Sequence, residues 1–142
     1  MPEQEIIRNY NFIVDLGGED GRVYFTEVDG LKMKIQPIDY REGGAEPAVR
    51  KLAGRVEYGN VSCRWGMTET PKLWDWLMKS VNGEVERREI SVIMLKPDGN
   101  EAFRYNLHNA WPCEWSASKF DGMDQGVAIE TLVVAHEGLV RA

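Results

Sequence analysis

The sequence predicts a mainly β fold of the α+β class, in which two sheets form a β-barrel or rolled sandwich and one α-helix flanks them. Apolar residues recur at the two-residue period of β-strands over most of the chain, and a single stretch, about 70–82, has the helical period of about 3.6. With 142 residues, of which 43% are apolar, the chain is long enough for one domain with its own core, and we assign residues 1–142 to that domain.

The first part of the chain has the pattern of three short strands. Residues 10–16 alternate as a half-buried strand, a glycine-rich turn follows at 17–21, and 22–28 returns as the second strand of a hairpin. The third strand, through Leu31, Met33 and Ile35, ends near Pro37. Residues 40–47 have mixed charge and no periodicity, which predicts a loop that connects two strands or contacts a neighbouring molecule.

The segment 50–66 is predicted as one long strand that carries a β-bulge. Val56 and Tyr58 point one way, whereas Val61, Cys63 and Trp65 are out of step by one residue. This slip falls on Gly59-Asn60, and an extra residue in a bent strand produces such a slip.

The helix is predicted over about 70–82, with Thr70 as N-cap, Pro71 in the first turn and Asn82-Gly83 as its end. Its apolar stripe consists of Leu73, Trp74, Leu77, Met78 and Val81. Trp76 lies beside this stripe, so it either wraps around the helix onto the sheet or is an exposed anchor for another subunit. We take it as an outer-face candidate.

Past the helix, 88–96 is apolar on both phases, which predicts a strand that is covered on both faces. The stretch 102–118 is a long strand, bent or at an edge at Pro112, with one phase predicted to face inward: Phe103, Tyr105, Leu107, Trp111, Cys113 and Trp115. Both Cys63 and Cys113 are therefore predicted to be buried thiols. The final strand is predicted over 127–137.

The two strands 50–66 and 102–118 are each about 16 residues, far longer than the usual five or six. Strands of this length project beyond a small fold and leave unpaired edges, which proteins seldom leave open in a monomer. The sequence alone therefore indicates that the chain assembles with other chains.

Composition and motifs exclude several classes of function. The net charge of −6 and the pI near 5.0 do not suit a nucleic-acid-binding surface, and no apolar run is long enough for a membrane anchor. The N-terminus has neither the basic nor the apolar part of a signal peptide, so we expect synthesis in the cytoplasm. HExxH, CxxC and P-loop motifs are absent, and His108 and His136 are predicted to be solvated strand residues. We therefore expect no enzyme, no catalytic residues, no metal site and no cofactor.

Seven segments, in this order along the chain, together resemble the inner-tube protein family of contractile tails: YNFIVDL (10–16), FTEVDGL (25–31), YREGG (40–44), VRKLAG (49–54), YGNVSCRWG (58–66), NAWP (109–112) and AIETLVVAHEGL (128–139). The family includes the tail tubes of contractile phages, R-type pyocins and extracellular contractile injection particles, and more distantly the Hcp ring of type VI secretion. The chain departs from it at Ala53, where a proline is frequent, at 64–66, and at Cys113, where an aliphatic residue is usual.

This resemblance implies a tail-tube or Hcp-like fold and a structural function. Six copies are expected to form a ring, and the rings to stack into a hollow tube that a contracting sheath drives through a target envelope. The implied partners are other copies of the chain, the sheath protein, baseplate or hub and tube-terminator proteins, and cargo or effector proteins in the lumen, or DNA in a phage. The finished tube is expected in a phage tail or a tail-like particle that is released from the cell.

In relatives an arm before the long strand reaches the next ring, and here that arm is 40–54. The contact residues expected there are Tyr40, Arg41, Glu42, Gly43, Gly44, Arg50, Lys51, Leu52 and Gly54. Glu57 and Ser62 are the expected lumen-facing residues. Two alternatives remain open: an adaptor ring next to the baseplate in the same machine, and a monomeric β-barrel that binds a small ligand. An uncharacterised hydrolase is a third.

Overall fold

The computed structural model describes residues 12–17, 21–23, 25–41, 43, 49–66, 72–123, 126 and 128–142. Within these ranges the chain forms ten strands and one helix. They are β1 (Phe12–Asp15), β2 (Arg22–Val23), β3 (Glu27–Asp29), β4 (Met33–Tyr40), β5 (Arg50–Tyr58), β6 (Val61–Gly66), α1 (Lys72–Val81), β7 (Arg88–Leu95), β8 (Glu101–Ala117), β9 (Ile129–Ala135) and β10 (Gly138–Arg141).

Eight of these strands form one antiparallel sheet in the order β2-β1-β7-β8-β9-β6-β3, with β10 paired to β8, whereas β4 and β5 form a separate pair. The main sheet is rolled, since side chains from β1, near one end of this order, and from β6, near the other, contact the same core cluster. Among the described residues its path ends at β2 and β3 without closing. The mainly β prediction with one flanking helix is confirmed, and of its two forms the rolled sandwich describes the molecule better than the barrel.

The long strand β8 connects the two halves of the sheet and bends in the middle. Its first half pairs with β7 and β10 and its second half with β9. Asn109 lies at the bend with φ 52°, a left-handed conformation that asparagine tolerates better than most residues. Further on, Pro112 pairs with Val134 and Glu114 pairs with Val133, so Cys113 is an extra, bulged residue.

These two irregularities change the phase predicted for β8. Leu107, Ala110 and Pro112 are the buried residues of the strand, whereas Trp111 is only partly buried and Cys113 is exposed. The prediction of a buried thiol is therefore confirmed for Cys63 and wrong for Cys113. A left-handed residue and a bulge each shift the alternation by one, and neither is visible from the two-residue period alone.

The helix α1 agrees with the predicted position, although 67–71, including the expected cap, lie outside the described residues. Gly83, with φ 90°, ends it: its N–H donates to the carbonyl of Ser80, and the N–H of Glu84 donates to that of Lys79. This pair of hydrogen bonds is the Schellman arrangement.

Trp76 faces the sheet and not the outside. It is only 1% exposed, its Nε1 donates to the carbonyl of Glu86 at 2.8 Å, and the Arg88 guanidinium lies 4.9 Å from its ring centroid. The outer-face assignment of Trp76 is therefore wrong, and the alternative that it wraps onto the sheet is correct. Trp74, which the sequence placed in the buried stripe, is 43% exposed instead.

The predicted long strand 50–66 is two strands in two sheets. β5 pairs with β4, whereas β6 pairs with β3 and β9, and the change occurs at Gly59-Asn60. Gly30 makes this corner possible: it has φ 99°, and a Cβ there would lie 2.3 Å from the carbonyl oxygen of Asn60. The phase slip thus marks a passage between sheets and not a bulge.

Two further differences concern the ends of the sheet. The predicted hairpin at 10–28 is present in its first part, where β1 pairs with β2, but the chain then crosses to pair β3 with β6. β10 was not predicted. The prediction that β7 is covered on both faces is confirmed, since Val92 belongs to the main core cluster and Ile93 is buried on the opposite face of the strand.

Candidate subunit interface

The pair of strands β4 and β5, residues 33–40 and 50–58, forms a two-stranded antiparallel ribbon that we call the β4–β5 ribbon. Its register runs from Met33 opposite Tyr58 to Tyr40 opposite Arg50. At about 3.3 Å per residue, nine residues extend for about 30 Å. Nearly all of its residues are exposed, and among the described residues the two strands pack mainly on each other. An isolated two-stranded ribbon is marginally stable in water, so this one is incomplete as it stands.

The ribbon exposes large apolar side chains on both of its faces. The register and the alternation of the strands place Met33, Ile35 and Val56 on one face and Ile38, Tyr40 and Leu52 on the other, each between 45% and 55% exposed. Scattered exposed apolar side chains are ordinary, but six on one short ribbon indicate an interaction surface.

Each face of the ribbon also carries one polar pair. Gln36 Nε2 donates to Glu57 Oε2 at 3.0 Å on the face of Ile38, and Lys51 Nζ lies 2.6 Å from Asp39 Oδ1 on the face of Ile35. Both pairs are exposed, so each adds little to stability.

Gly54 lies at an irregularity of the ribbon. Ile35 pairs with Val56 and Pro37 pairs with Ala53, which leaves one extra residue in β5 opposite Gln36. A Cβ on Gly54 would lie 2.8 Å from the carbonyl oxygen of Gln36 and 2.8 Å from Cδ1 of Ile38. Only glycine lets the two strands and the Ile38 side chain approach this closely.

The structure describes seven of the nine predicted contact residues. Five lie on the ribbon: Tyr40, Arg50, Lys51, Leu52 and Gly54. Arg41 and Gly43 are exposed beyond β4, whereas Glu42 and Gly44 lie outside the described residues. The predicted arm is thus the distal part of a longer feature. Sequence analysis assigned Met33, Ile35 and Val56 to strands of the body and did not identify them as candidate interface residues.

The two predicted lumen-facing residues lie on different elements. Glu57 is on the ribbon, where it accepts a hydrogen bond from Gln36. Ser62 is partly buried on β6, opposite Asp29 of β3 and Val133 of β9. Their assignment to one strand is wrong because the chain changes sheets between them.

The root of the ribbon is held by His136. Its Nε2 lies 2.9 Å from the carbonyl oxygen of Gly59, its Nδ1 lies 3.0 Å from that of Gly138, and its ring is 5.4 Å from the ring of Tyr58. The prediction of a solvated histidine is wrong here, because His136 is partly buried and connects the ribbon to the β9–β10 corner.

His108 is the second histidine, and it contacts one carboxylate. Its Nδ1 lies 2.6 Å from Glu89 Oε2, and both side chains are largely exposed. The hydrogen bond from His108, followed by that from the Asn109 backbone N–H, holds the pKa of Glu89 below its usual value. This pair lies at the bend of β8, where it supports the left-handed Asn109.

Side chains that could do chemistry are dispersed. In the part of the chain that the structure describes, no three His, Cys, Asp or Glu side chains form a group able to hold a metal ion. Cys63 and Cys113 are free, burial raises the pKa of Cys63 to about 12, and burial followed by the charge of Glu114 raises the pKa of Cys113. Neither thiol has the lowered pKa of a nucleophile.

The apolar cavity in the described core is too small for a small-molecule ligand. It is lined by core residues such as Val14, Trp76 and Leu107 and has a volume of about 10 Å³. This is room for one water molecule, far below the several hundred cubic ångströms of a ligand site. No helix among the described residues has both the length and the apolar character needed to cross a membrane.

A family model described as T4-like virus tail tube protein gp19 matches residues 8–140. The chain belongs to this family. It is therefore a structural subunit of an inner tube and not an enzyme, as the sequence predicts. No curated protein sequence matches the chain.

Solved structures share the tail-tube fold. The chain is 24% identical to a protein in the sheath–tube complex of the PVC extracellular contractile injection system, with a TM-score of 0.84 and 96% of this chain and 91% of that one covered. A chain of the anti-feeding prophage tube-terminating cap is 24% identical, with a TM-score of 0.86 and 100% and 94% covered. Hcp1 from Flavobacterium johnsoniae is 14% identical, with a TM-score of 0.63 and 94% and 95% covered. This range of similarity agrees with the predicted tail-tube and Hcp-like fold.

Proposed function

We propose that the chain is the repeating subunit of the rigid inner tube of a contractile tail or injection particle. Six copies form a ring, rings stack into a hollow tube, and a contracting sheath drives the tube through a target envelope while cargo passes through the lumen. The observation that carries the proposal, beyond family membership, is the β4–β5 ribbon with exposed apolar side chains on both of its faces.

The ribbon supports a role in assembly because both its strand edges and its apolar side chains are uncovered. Among the described residues β4 pairs only with β5, so the outer edge of each strand has no strand partner, and six large apolar side chains remain about half exposed. A second protein surface has to cover them, since a two-stranded ribbon alone buries too little apolar area to be stable. In a homo-oligomer that surface belongs to another copy. We assign the arm 40–54 of the single domain 1–142 to the contact between rings.

The proposed partners outside the ring are the sheath protein, baseplate or hub proteins, tube terminators and luminal cargo, or DNA in a phage. Chains of the same fold occur in structures titled as a sheath–tube complex, a sheath/tube terminator and a 6-fold symmetrised baseplate. We further propose synthesis in the bacterial cytoplasm and assembly into a particle, as similar chains belong to an extracellular system and a gene transfer agent virion.

We assign Glu57 and Ser62 to the lumen side of the ring. The net charge of −6 supports an acidic lumen or outer surface, which repels nucleic acid and anionic lipid that would otherwise adhere to the tube. A strongly basic lumen would contradict this part of the proposal.

Two equally exposed apolar residues, one on the ribbon and one outside it, provide a matched test. Leu52→Asp places a charge on the ribbon, where Leu52 is 47% exposed, whereas Val140→Asp places the same charge on β10, where Val140 is 49% exposed. Negative-stain microscopy and light scattering of the full chain are to be recorded at high protein concentration, with baseplate proteins added if the chain alone stays monomeric. We expect rings or tubes with a central hole for the unmodified chain and for Val140→Asp, and a species of about 16.2 kDa for Leu52→Asp.

The outcomes separate the candidate functions. A chain that stays monomeric under both conditions would contradict the tube proposal. Equal assembly of Leu52→Asp and Val140→Asp would remove the apolar side chains of the ribbon from the interface. Copy number per particle distinguishes the repeating subunit, which forms the most abundant tube band, from a baseplate-proximal adaptor ring, which is present as one or a few rings.

A further inference from the structure

The histidine at the root of the β4–β5 ribbon contacts two backbone carbonyl groups at once. His136 Nε2 lies 2.9 Å from the carbonyl oxygen of Gly59, the residue that follows β5. His136 Nδ1 lies 3.0 Å from the carbonyl oxygen of Gly138, the first residue of β10. Both distances are those of hydrogen bonds. The imidazole ring therefore connects the root of the ribbon to the corner between β9 and β10.

These two contacts decide which protonation state satisfies the ring. A carbonyl oxygen only accepts hydrogen bonds, so each ring nitrogen of His136 needs its own proton in order to donate to one. Neutral imidazole has a single N–H, and its second nitrogen would turn a lone pair toward the other carbonyl oxygen. Only the imidazolium, with a proton on both nitrogens, donates to Gly59 and Gly138 together.

The immediate surroundings of the ring favour this doubly donating form. The ring of Tyr58 lies 5.4 Å from that of His136 at an interplanar angle of 51°, a distance at which a cation is attracted to an aromatic ring. Gly138 is buried, whereas Tyr58, Gly59 and His136 are partly buried. Water therefore has limited access to the two carbonyl groups, and a ring that fails to bond one of them leaves it poorly satisfied.

Other charged or titratable side chains approach this junction from each element around it. The side chain of Lys32, ahead of β4, lies beside Gly59, and the ring of His108 on β8 lies against Gly138. The remaining members of the set are the phenol of Tyr58, the Glu137–Arg87 pair at 3.9 Å, and Glu89, which contacts His108. Of these residue types, only histidine ordinarily changes charge between about pH 5 and pH 8. A pH response of the junction in that range therefore belongs to His136 or to His108.

We propose that His136 is a proton-controlled latch between the β4–β5 ribbon and the body. With both ring nitrogens protonated, the ring donates to Gly59 and Gly138 and holds the root of the ribbon. Loss of the Nε2 proton to water removes the bond to the ribbon. Loss of the Nδ1 proton removes the bond to Gly138 that orients the ring. The ribbon is therefore held more firmly at acidic pH and is released as the pH rises.

A single latch has a large effect because the ribbon makes few other contacts with the body. Among the described residues β4 and β5 pack mainly on each other. The chain enters and leaves the ribbon where Gly30 and Gly59 lie side by side, and the N–H of Gly59 donates to the carbonyl of Lys32 at 2.9 Å. A hydrogen bond from a charged donor is stronger than a neutral one, so its loss should make opening of the root about tenfold more favourable.

The first test follows the ring and the ribbon in the same sample of the full chain as a monomer. Nitrogen NMR records the protonation of both ring nitrogens of His136 between about pH 5 and pH 8. Hydrogen exchange, corrected for the intrinsic effect of pH, records the protection of the Gly59 amide. We expect both nitrogens to be protonated at the acidic end, and the protection of Gly59 to fall about tenfold with the same midpoint as the titration of His136. Leu107 in the body should keep its protection.

The two histidines of the chain provide a matched pair of variants, His136→Gln and His108→Gln. Glutamine can still donate to one carbonyl but does not titrate. We expect His136→Gln to have the weaker protection of Gly59 at every pH, and His108→Gln to keep the pH response of the unmodified chain. A response that is lost in His108→Gln and kept in His136→Gln would assign it to the His108–Glu89 pair and overturn the latch.

The unmodified chain alone is enough to overturn the latch, so the test does not depend on whether a variant folds. A His136 ring that keeps one unprotonated nitrogen over the whole pH range would show that the two bonds never form together. A ring that stays fully protonated throughout would make His136 a permanent connection and not a switch. Protection of Gly59 that does not change while His136 titrates would show that the proton does not control the ribbon.

The latch belongs to the single chain, and only its consequence for assembly rests on the proposed function. A ribbon that is already held in place loses less conformational freedom when it binds another copy. The ratio of tube mass at acidic pH to that at basic pH should therefore be larger for the unmodified chain than for His136→Gln. Equal ratios, together with a working latch in the monomer, would contradict the role of the ribbon in assembly and leave the latch in place.

Discussion

The rolled sheet with its helix and the β4–β5 ribbon use apolar residues in opposite ways. In the body, large side chains such as Trp76, Ile93, Leu107 and Leu132 are 1% exposed. In the ribbon the apolar side chains are about half exposed, and each strand pairs along one edge only, whereas β6, β7, β8 and β9 of the body pair along both edges. Side-chain burial and strand pairing therefore both distinguish the two regions.

This difference teaches that only one region is complete in a single chain. The body buries enough apolar surface to form a cooperative core, whereas the ribbon contributes little to the monomer and gains its burial on assembly. Variants in the body should change the free energy of unfolding of the monomer. Variants at the exposed apolar side chains of the ribbon should instead change the equilibrium between monomer and assembly.

The largest effect is expected at Trp76. Trp76→Ala removes a fully buried ring, its hydrogen bond to the Glu86 carbonyl and its contact with Arg88, so we expect a loss of about 3–5 kcal/mol in the free energy of unfolding. Trp74→Ala, two residues earlier on an exposed position of the same helix, should cost about 1 kcal/mol or less. Urea unfolding of the monomer measures both.

The same experiment on the ribbon tests the comparison directly. Ile38→Ala should cost no more than about 0.5–1 kcal/mol in the monomer, because this side chain is already 51% exposed. A loss comparable to that of Trp76→Ala would place the ribbon within the cooperative core and would contradict the distinction between the two regions.

Gly54→Ala should have an intermediate, local effect. The new Cβ would meet the Gln36 carbonyl and the Ile38 side chain, so the strands must separate or the ribbon must bend differently, at a cost of about 1–3 kcal/mol to the local opening of the ribbon. Amide hydrogen exchange measures this, and should accelerate at Ile38 and Leu52 but not at Leu107 of the body. Gly43→Ala is the control, since a Cβ there has nothing within 4 Å and should leave exchange unchanged. Faster exchange in the body would show that the ribbon and the core open together.

The sequence predicts the parts of this fold that depend on local periodicity. The helix agrees within a few residues, and β8 extends almost as predicted, from Glu101 to Ala117, because both patterns are long and unbroken. Local periodicity alone does not predict the number of strands within 50–66. A phase slip at Gly59-Asn60 is common to a β-bulge and to a change of sheet, and only the pairing partners, β4 or β9, distinguish the two.

The candidate interface was predicted in part for the same reason. The resemblance placed the arm at 40–54, and five of its residues do lie on the ribbon. Met33 and Ile35 alternate as in a core strand, and their burial depends on what covers them and not on the pattern. The hydrogen bond between His136 and Gly59, 77 residues away in sequence, has no local signal at all.

The smallest effect is expected from the exposed ion pairs, one in the body and one in the ribbon. The pKa of Glu89 is lowered in the folded chain by His108 and the Asn109 backbone N–H. A lowered carboxyl pKa contributes stability that is present above the group's ordinary value, near 4.5, and is lost as pH falls through the lower folded value. Because the pair is largely solvated, Glu89→Gln should reduce the acid dependence of unfolding only slightly.

Asp39→Asn breaks the Lys51 pair of the ribbon and should leave the unfolding of the body unchanged at every pH, since the ribbon adds little to the cooperative core. Urea midpoints measured between pH 3 and pH 7 decide it, since a larger effect for Asp39→Asn than for Glu89→Gln would mean that the ribbon contributes to the stability of the monomer.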